Sequence, residues 1–127
     1  MSTDQAVMTT QDVANRFNEL SQSGQWDLIQ AELFADHAES IEPASGLAMG
    51  MTNAKGMDAI RKKGEAFNEQ VEEMHGGYST APVVGGNFFS VAMGMDVTMK
   101  GAGRVKMDEI VVYEVKDGKI VKEQFFY

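Results

Sequence analysis

The sequence predicts an α+β domain in which three N-terminal helices pack on a curved antiparallel sheet that forms a cone-shaped barrel. Three observations carry this expectation. Apolar residues recur at three- and four-residue spacing through the first part of the chain, and after His75 the alternation becomes two-residue. The alternating runs are joined by short glycine turns, ending with Asp117-Gly118, a strong hairpin signal. Helices first and strands afterwards belong to α+β architectures rather than to parallel α/β sheets.

Thr9 or Thr10 is placed to cap a first helix whose apolar stripe is Val13, Phe17 and Leu20, and Ser23-Gly24 ends it. Trp26, Ile29 and Leu33 mark a second, shorter helix. Asn53 is positioned to cap a third, with the stripe Met57, Ile60, Phe67, Val71 and Met74 and with Gly64 completing the spacing. Lys55, Arg61, Lys62 and Lys63 sit early in that helix and Glu65, Glu69, Glu72 and Glu73 late, against the dipole. Burying Ile60, Phe67 and Val71 yields about 1.5–3 kcal/mol apiece and outweighs those misplaced surface charges. The third helix is therefore expected to depend on the sheet it covers. Segments 78–84, 88–99, 105–115 and 120–127 read as strands. At 127 residues, 43% hydrophobic and 24% charged, the chain is expected to be one domain over residues 1–127.

Eleven basic against nineteen acidic residues give a net charge of −8, which repels phosphate backbones and anionic lipid. Nucleic acid and membrane surfaces are therefore not expected as partners. The opening MSTDQAVMTT has neither a basic cluster nor an apolar core, and no apolar run approaches the roughly 20 residues that span a bilayer; a cytoplasmic location is expected. The absence of cysteine excludes disulfides, thiolate ligands and a cysteine nucleophile. His37 and His75 have no metal-ligand spacing, and no phosphate loop, dinucleotide fingerprint or G-x-S-x-G elbow occurs, so neither a metal nor a cofactor is expected.

The run Phe34-Ala35-Asp36-His37-Ala38-Glu39-Ser40-Ile41-Glu42-Pro43 followed by Gly46, and the ending from Tyr113 to Tyr127, resemble the nuclear transport factor 2-like superfamily, most closely its SnoaL-like branch. The resemblance extends from about Val13 to Tyr127. It implies a second helix running through Phe34-Ala35-Asp36 into a first strand, a final hairpin, and pairing of two copies through the sheet. The superfamily includes ketosteroid isomerases, epoxide hydrolases, polyketide cyclases and non-catalytic binding modules, so the reaction has to be argued from the site.

The resemblance puts Glu42, just before Pro43, where steroid isomerases carry a general base. It puts Phe17 and Val111 where they carry the two hydrogen-bond donors to the developing enolate. Neither side chain can donate, and losing one such donor typically costs about 2.7–4 kcal/mol of barrier stabilisation. Asp96 matches the aspartate of an epoxide hydrolase Arg-x-Asp pair, but Gly94 stands where the arginine would be and Phe125 where the last-strand aspartate would be. Strand alternation adds Glu109, Val111, Tyr113 and Met107 on one face of one strand. On the last strand it adds Val121, Glu123, Phe125 and Tyr127. Glu42, with Asp96 as second candidate, is the expected catalytic carboxylate; Phe17, Trp26, Glu109, Val111, Tyr113, Glu123 and Phe125 are the expected pocket.

Met93, Met95 and Met99 alternate on one face with Phe89, Val91 and Val97, which suits an adaptable pocket wall, a filled core or a sheet-to-sheet contact. Two readings therefore stand. One is a small-molecule-binding SnoaL-like protein with a carboxylate-bearing apolar pocket for a small hydrophobic or hydroxylated molecule. If enzymatic, it is a cofactor-independent isomerase, cyclase or hydrolase working by general acid/base chemistry. The other is a non-catalytic homodimeric interaction module with a filled core.

Overall fold

The computed structural model describes residues 7–127. Helices α1 (Thr10–Gln22) and α2 (Trp26–Leu33) lead directly into strand β1 (Phe34–Ile41). The one-turn helix α3 (Ala44–Ala48) and the two-residue strand β2 (Ala54–Lys55) precede helix α4 (Met57–Gln70). Strands β3 (Val71–Ser79), β4 (Val83–Gly85), β5 (Phe88–Met99), β6 (Gly103–Lys116) and β7 (Lys119–Phe126) follow. The α+β class and the packing of helices on a curved sheet are as the sequence predicts.

The sheet itself differs from the expected closed antiparallel barrel. Its order is β2-β1-β7-β6-β5-β3, with β4 also on β5, and it is not closed. It is mixed, because β1 runs parallel to β7 while the other pairs are antiparallel. A parallel pair needs a long crossover, and the whole of α4 and the β3–β6 stretch lies between these two strands.

Local chemistry accounts for most boundaries. Thr9 caps α1 in a reciprocal box: its hydroxyl accepts from the Asp12 backbone N–H at 3.1 Å, and its own N–H donates to Asp12 Oδ2 at 3.0 Å. The β6–β7 hairpin turns at Asp117 and Gly118, both at positive φ (52° and 74°), the conformation a two-residue primed turn demands.

Two boundaries depart from the sequence reading. Helix α4 begins after Gly56, at φ 87°, rather than at an Asn53 cap. It ends at Gln70, four residues before Met74, because Val71–Ser79 pairs with β5 along its length. The apolar period of 57–74 continues in register across that change. A β-branched Val71 and the pair Gly76-Gly77 are poor helix formers, so strand pairing wins. The predicted strand 78–84 is accordingly divided between β3 and β4.

The core fills one end of the concave face. Phe17 of α1 packs against Phe89 and Tyr113, with ring centroids 5.3 and 4.8 Å away, and Phe89 stacks on Tyr113 at 4.9 Å. Val13, Leu20, Ile29, Leu33, Val91, Val111 and Ile120 surround them, all buried. Fully burying one such side chain contributes about 1.5–3 kcal/mol. Phe17→Ala is expected to lower unfolding stability by about 3–5 kcal/mol in urea titration. An unchanged midpoint would mean that α1 is not clamped by these rings.

Candidate functional site

Alternation on β1 turns Ala38 and Ser40 to the concave face, and Glu42, just past the strand's end, follows the same parity; all three are buried, Glu42 at 6% exposure. Antiparallel pairing aligns Glu109 of β6 with Met93 of β5, and Glu123 of β7 with Tyr113 of β6. A bulge lies between Glu114↔Lys122 and Val115↔Ile120. The extra residue is Val121, so Ile120 takes the inward place expected for Val121, while Glu123 and Phe125 stay inward. Glu123 is 9% exposed and Glu109 half-buried.

The cation that meets these acids is Lys63. It lies two turns into α4, on the face that buries Met57 and Ile60. Its side chain is only 13% exposed and forms an ion pair with Glu42 Oε2. It also donates to Ser40 Oγ at 2.8 Å and sits 5.0 Å from the centroid of the Phe125 ring. The other Glu42 oxygen accepts a 2.5 Å hydrogen bond from the Tyr127 hydroxyl, and the Glu42 backbone N–H donates to Asn53 Oδ1 at 2.8 Å.

One ammonium therefore serves three carboxyl groups. Burial pushes Glu109 up to about 7, helped by the charges of Glu42 and Glu123 and opposed by Lys63. Burial likewise pushes Glu123 up to about 7, against the pull of the Ser40 hydroxyl and Lys63. The Tyr127 phenol is held above its ordinary range by burial and by its Glu42 acceptor. With both pKa values raised to about 7, Glu109 and Glu123 are held further towards their protonated forms near neutrality than exposed carboxylates are.

Past this cluster Met93, Met95, Met107, Glu109, Phe125 and Phe67 face inward and are half-buried, while Val97, further along the same face of β5, is fully buried. Two surface clefts lie elsewhere. One of about 510 Å³ is bordered by Met8, Asn87 and Gly118, and one of about 380 Å³ by Gly24, Trp26 and Leu28.

Glu42, Glu109, Val111, Tyr113, Glu123 and Phe125 thus share the concave side, as the alternation requires. Val111 and Phe17 are fully packed core residues, and Tyr113, whose phenol burial pushes far up, lies between them and Glu123. Trp26 meets the core edge-on at Phe17, with ring centroids 6.1 Å apart, and is 43% exposed beside the smaller cleft. Asp96 is a correction. Its parity is opposite to that of Met93 and Met95, so it faces outward and forms a two-point ion pair with Arg104, at 3.0 and 2.9 Å. Lys63, Ser40, Asn53 and Gly46 are the residues sequence reasoning missed. Lys63 stood three residues past Ile60 and four before Phe67, a signal for the buried face that its charge masked.

Two carboxyls with raised pKa bind more protons folded than unfolded above about pH 4.5, so stability should fall as pH rises from there through about 7. Glu123→Gln is expected to flatten that fall and to be more stable than the parent by about 1–2 kcal/mol at pH 8, with no gain at pH 4.5. Parallel pH–stability curves for the two proteins would contradict the charge balance. Lys63→Met, leaving Glu42 buried without its cation, should cost about 3–5 kcal/mol in urea, most of it recovered in Lys63→Met/Glu42→Gln. A Lys63→Met protein as stable as the parent would place the ammonium in solvent.

The SnoaL-like domain family matches residues 8–127. A Mesorhizobium loti protein provisionally described as a SnoaL-like polyketide cyclase is 37% identical, superposes at a TM-score of 0.86, and covers 94% of this chain and 100% of its own. At 13% identity, TerC, crystallised with polyporic acid, covers 93% of this chain and 90% of its own at a TM-score of 0.71. A Catenulispora acidiphila protein of ketosteroid isomerase-like fold, in complex with trimethylamine, is 15% identical, covers 94% and 87%, and has a TM-score of 0.68. No curated protein matches the chain. The chain belongs to the SnoaL-like domain family, within the NTF2-like superfamily.

Proposed function

We propose that the half-buried stretch of the concave face serves as an open trough in which this SnoaL-like protein binds a small, mainly apolar molecule carrying a hydroxyl or carbonyl group, and that Glu109 and Glu123 exchange protons with it. The observation that carries the reading is the meeting of three carboxyl groups and one ammonium at the rim of an otherwise apolar face. Methionine and phenylalanine walls suit an apolar ring or chain, while a half-protonated acid pair suits enolisation, cyclisation or hydrolysis without a cofactor. Glu42, tied to Lys63, holds and orients the ligand's polar group. Small molecules held by TerC and by the Catenulispora protein are support from the same fold. No helix among the described residues is long and apolar enough to cross a membrane, and the acidic surface disfavours nucleic acid; a cytoplasmic site of action is proposed.

A second reading has its own observation. The outer sheet face carries Ala92, Ile110 and Phe126 in one cross-strand row, with Phe88 nearby, and Phe88, Ile110 and Phe126 are exposed. This patch suits a homodimer paired through the sheet, with or without catalysis in the trough.

Both readings can be measured. Methyl NMR should show the Met93, Met95 and Met107 signals moving with a cyclic ketone or a phenol, and solvent deuterium should enter the ketone's α-position with a pH dependence centred near 7. Glu109→Gln/Glu123→Gln should slow that exchange at least about tenfold. Unmoved methyl signals would end the ligand reading, and unaltered exchange would remove the acid pair from the chemistry. Sedimentation should report a dimer that Ile110→Lys dissociates; a monomeric parent at micromolar concentration would end the sheet-pairing reading.

A further inference from the structure

We propose that Tyr127 is the specificity-determining residue of the trough: its phenol holds the place on Glu42 that a phenolic or enolic hydroxyl of the ligand takes. This rests on the trough reading above and narrows its ligand to aryl and enol hydroxyl compounds.

Both oxygens of Glu42 are occupied, Oε2 by Lys63 and Oε1 by the Tyr127 hydroxyl. Each oxygen could accept a second bond, but with Glu42 only 6% exposed a ligand reaches its carboxylate by displacing one of these two donors. Lys63 is fixed by Glu42, Ser40 and the Phe125 face and is nearly buried. Tyr127 is 48% exposed. Its side chain makes one hydrogen bond, and the Ser45 hydroxyl donates to its backbone oxygen at 3.1 Å. The phenol is the exchangeable partner.

The niche beside Oε1 has the shape of an aromatic C–O group, and Gly46 makes it so. A methyl group at Gly46 would fall on the Tyr127 hydroxyl and lie 3.0 Å from Cζ and 3.3 Å from Glu42 Oε1. With glycine there, a flat ring carbon and its oxygen fit against the α3 backbone. A ligand hydroxyl that displaces the phenol returns the hydrogen bond it breaks, so the exchange is nearly neutral in bonding and gains the ligand's apolar burial. An apolar ligand without a hydroxyl would strand a buried carboxylate oxygen, which selects against it. Tyr127 also lowers the affinity of each hydroxylated ligand, which has to displace it, by the fraction of molecules in which it stays in place.

The test uses the whole chain with 1-naphthol and naphthalene, read by fluorescence titration and by the Met93 methyl signal. The parent should bind 1-naphthol at least about tenfold more tightly than naphthalene. Tyr127→Phe removes the competing hydroxyl and keeps the ring, so 1-naphthol should bind about threefold or more tightly while naphthalene changes little. Gly46→Ala, confirmed as folded by its thermal transition, should erase the preference for 1-naphthol. Unchanged or weaker 1-naphthol binding in Tyr127→Phe overturns the proposal, as does equal binding of the two probes by the parent. If those failures come with a moving Met93 signal, the trough stands and only the Tyr127 role falls. If Met93 does not respond to either probe, the trough reading falls as well.

Discussion

The Lys63–Glu42 ion pair is the constraint around which the concave face is organised. A charge taken from water is tolerated only with a well-placed partner, and the ammonium of Lys63 has three: a carboxylate, a hydroxyl and an aromatic face. Such a pair is weak evidence for net stability, but each half makes the other obligatory. Its larger consequence lies in what it leaves uncompensated. With the ammonium committed to Glu42, Glu109 and Glu123 have no cation of their own, and burial carries both to about 7. A second lysine in the trough would return them to ordinary, fully ionised carboxylates.

That arrangement depends on the phase of one helix. Strand β2 pairs Lys55 with Glu39 and Ala54 with Ser40, and the Gly56 N–H donates to the Ala38 carbonyl at 2.8 Å. These contacts tie the start of α4 to the strand that carries Ser40 and Glu42. The positive φ of Gly56 then turns the chain into the helix. Counting from there, positions 57, 60, 63 and 67 face the sheet. A one-residue shift in this start would rotate the lysine about 100° away from Glu42.

The order of elements, the two long hairpins and the inward parity of Glu109, Glu123 and Phe125 were legible in the sequence through two-residue alternation, but the bulge at Val121, which puts Ile120 in the inward place, was not. The parallel β1–β7 pair was not, since no local pattern records which distant strand lies alongside. The end of α4 was hidden by an apolar period that reads as helix through Met74, while the decision between helix and strand was made by β5. In the site, Glu42 was visible through Pro43, but Lys63 was assigned to the surface on its charge. Gly64 was given the stripe position that Lys63 fits equally well. Asp96 shows the converse error. Its resemblance to a catalytic position points inward, while its parity sets it on the face opposite Met93 and Met95.

Strands β5, β6 and β7 each carry stability and site on the same inward face, separated along their length. On β5 and β6 the residues Phe89, Val91, Val111 and Tyr113 are sealed by α1. Two to four residues further along, Met93, Met95, Glu109 and Met107 are left half-open. Each fully buried aliphatic or aromatic side chain at the sealed end contributes about 1.5–3 kcal/mol, and several act together there. A pair of carboxyls held near neutrality opposes folding by an amount of the same order as one such residue, and only at higher pH. The sheet can therefore hold an unbalanced acid cluster further along because its sealed end on β5 and β6 is packed from apolar side chains apart from the Tyr113 phenol. Glu42 and Glu123 are already buried, and closing the face over the half-exposed Glu109 would add to the desolvation that raises its pKa. Leaving Glu109 half-exposed limits that rise, which suits the proton exchange proposed for it.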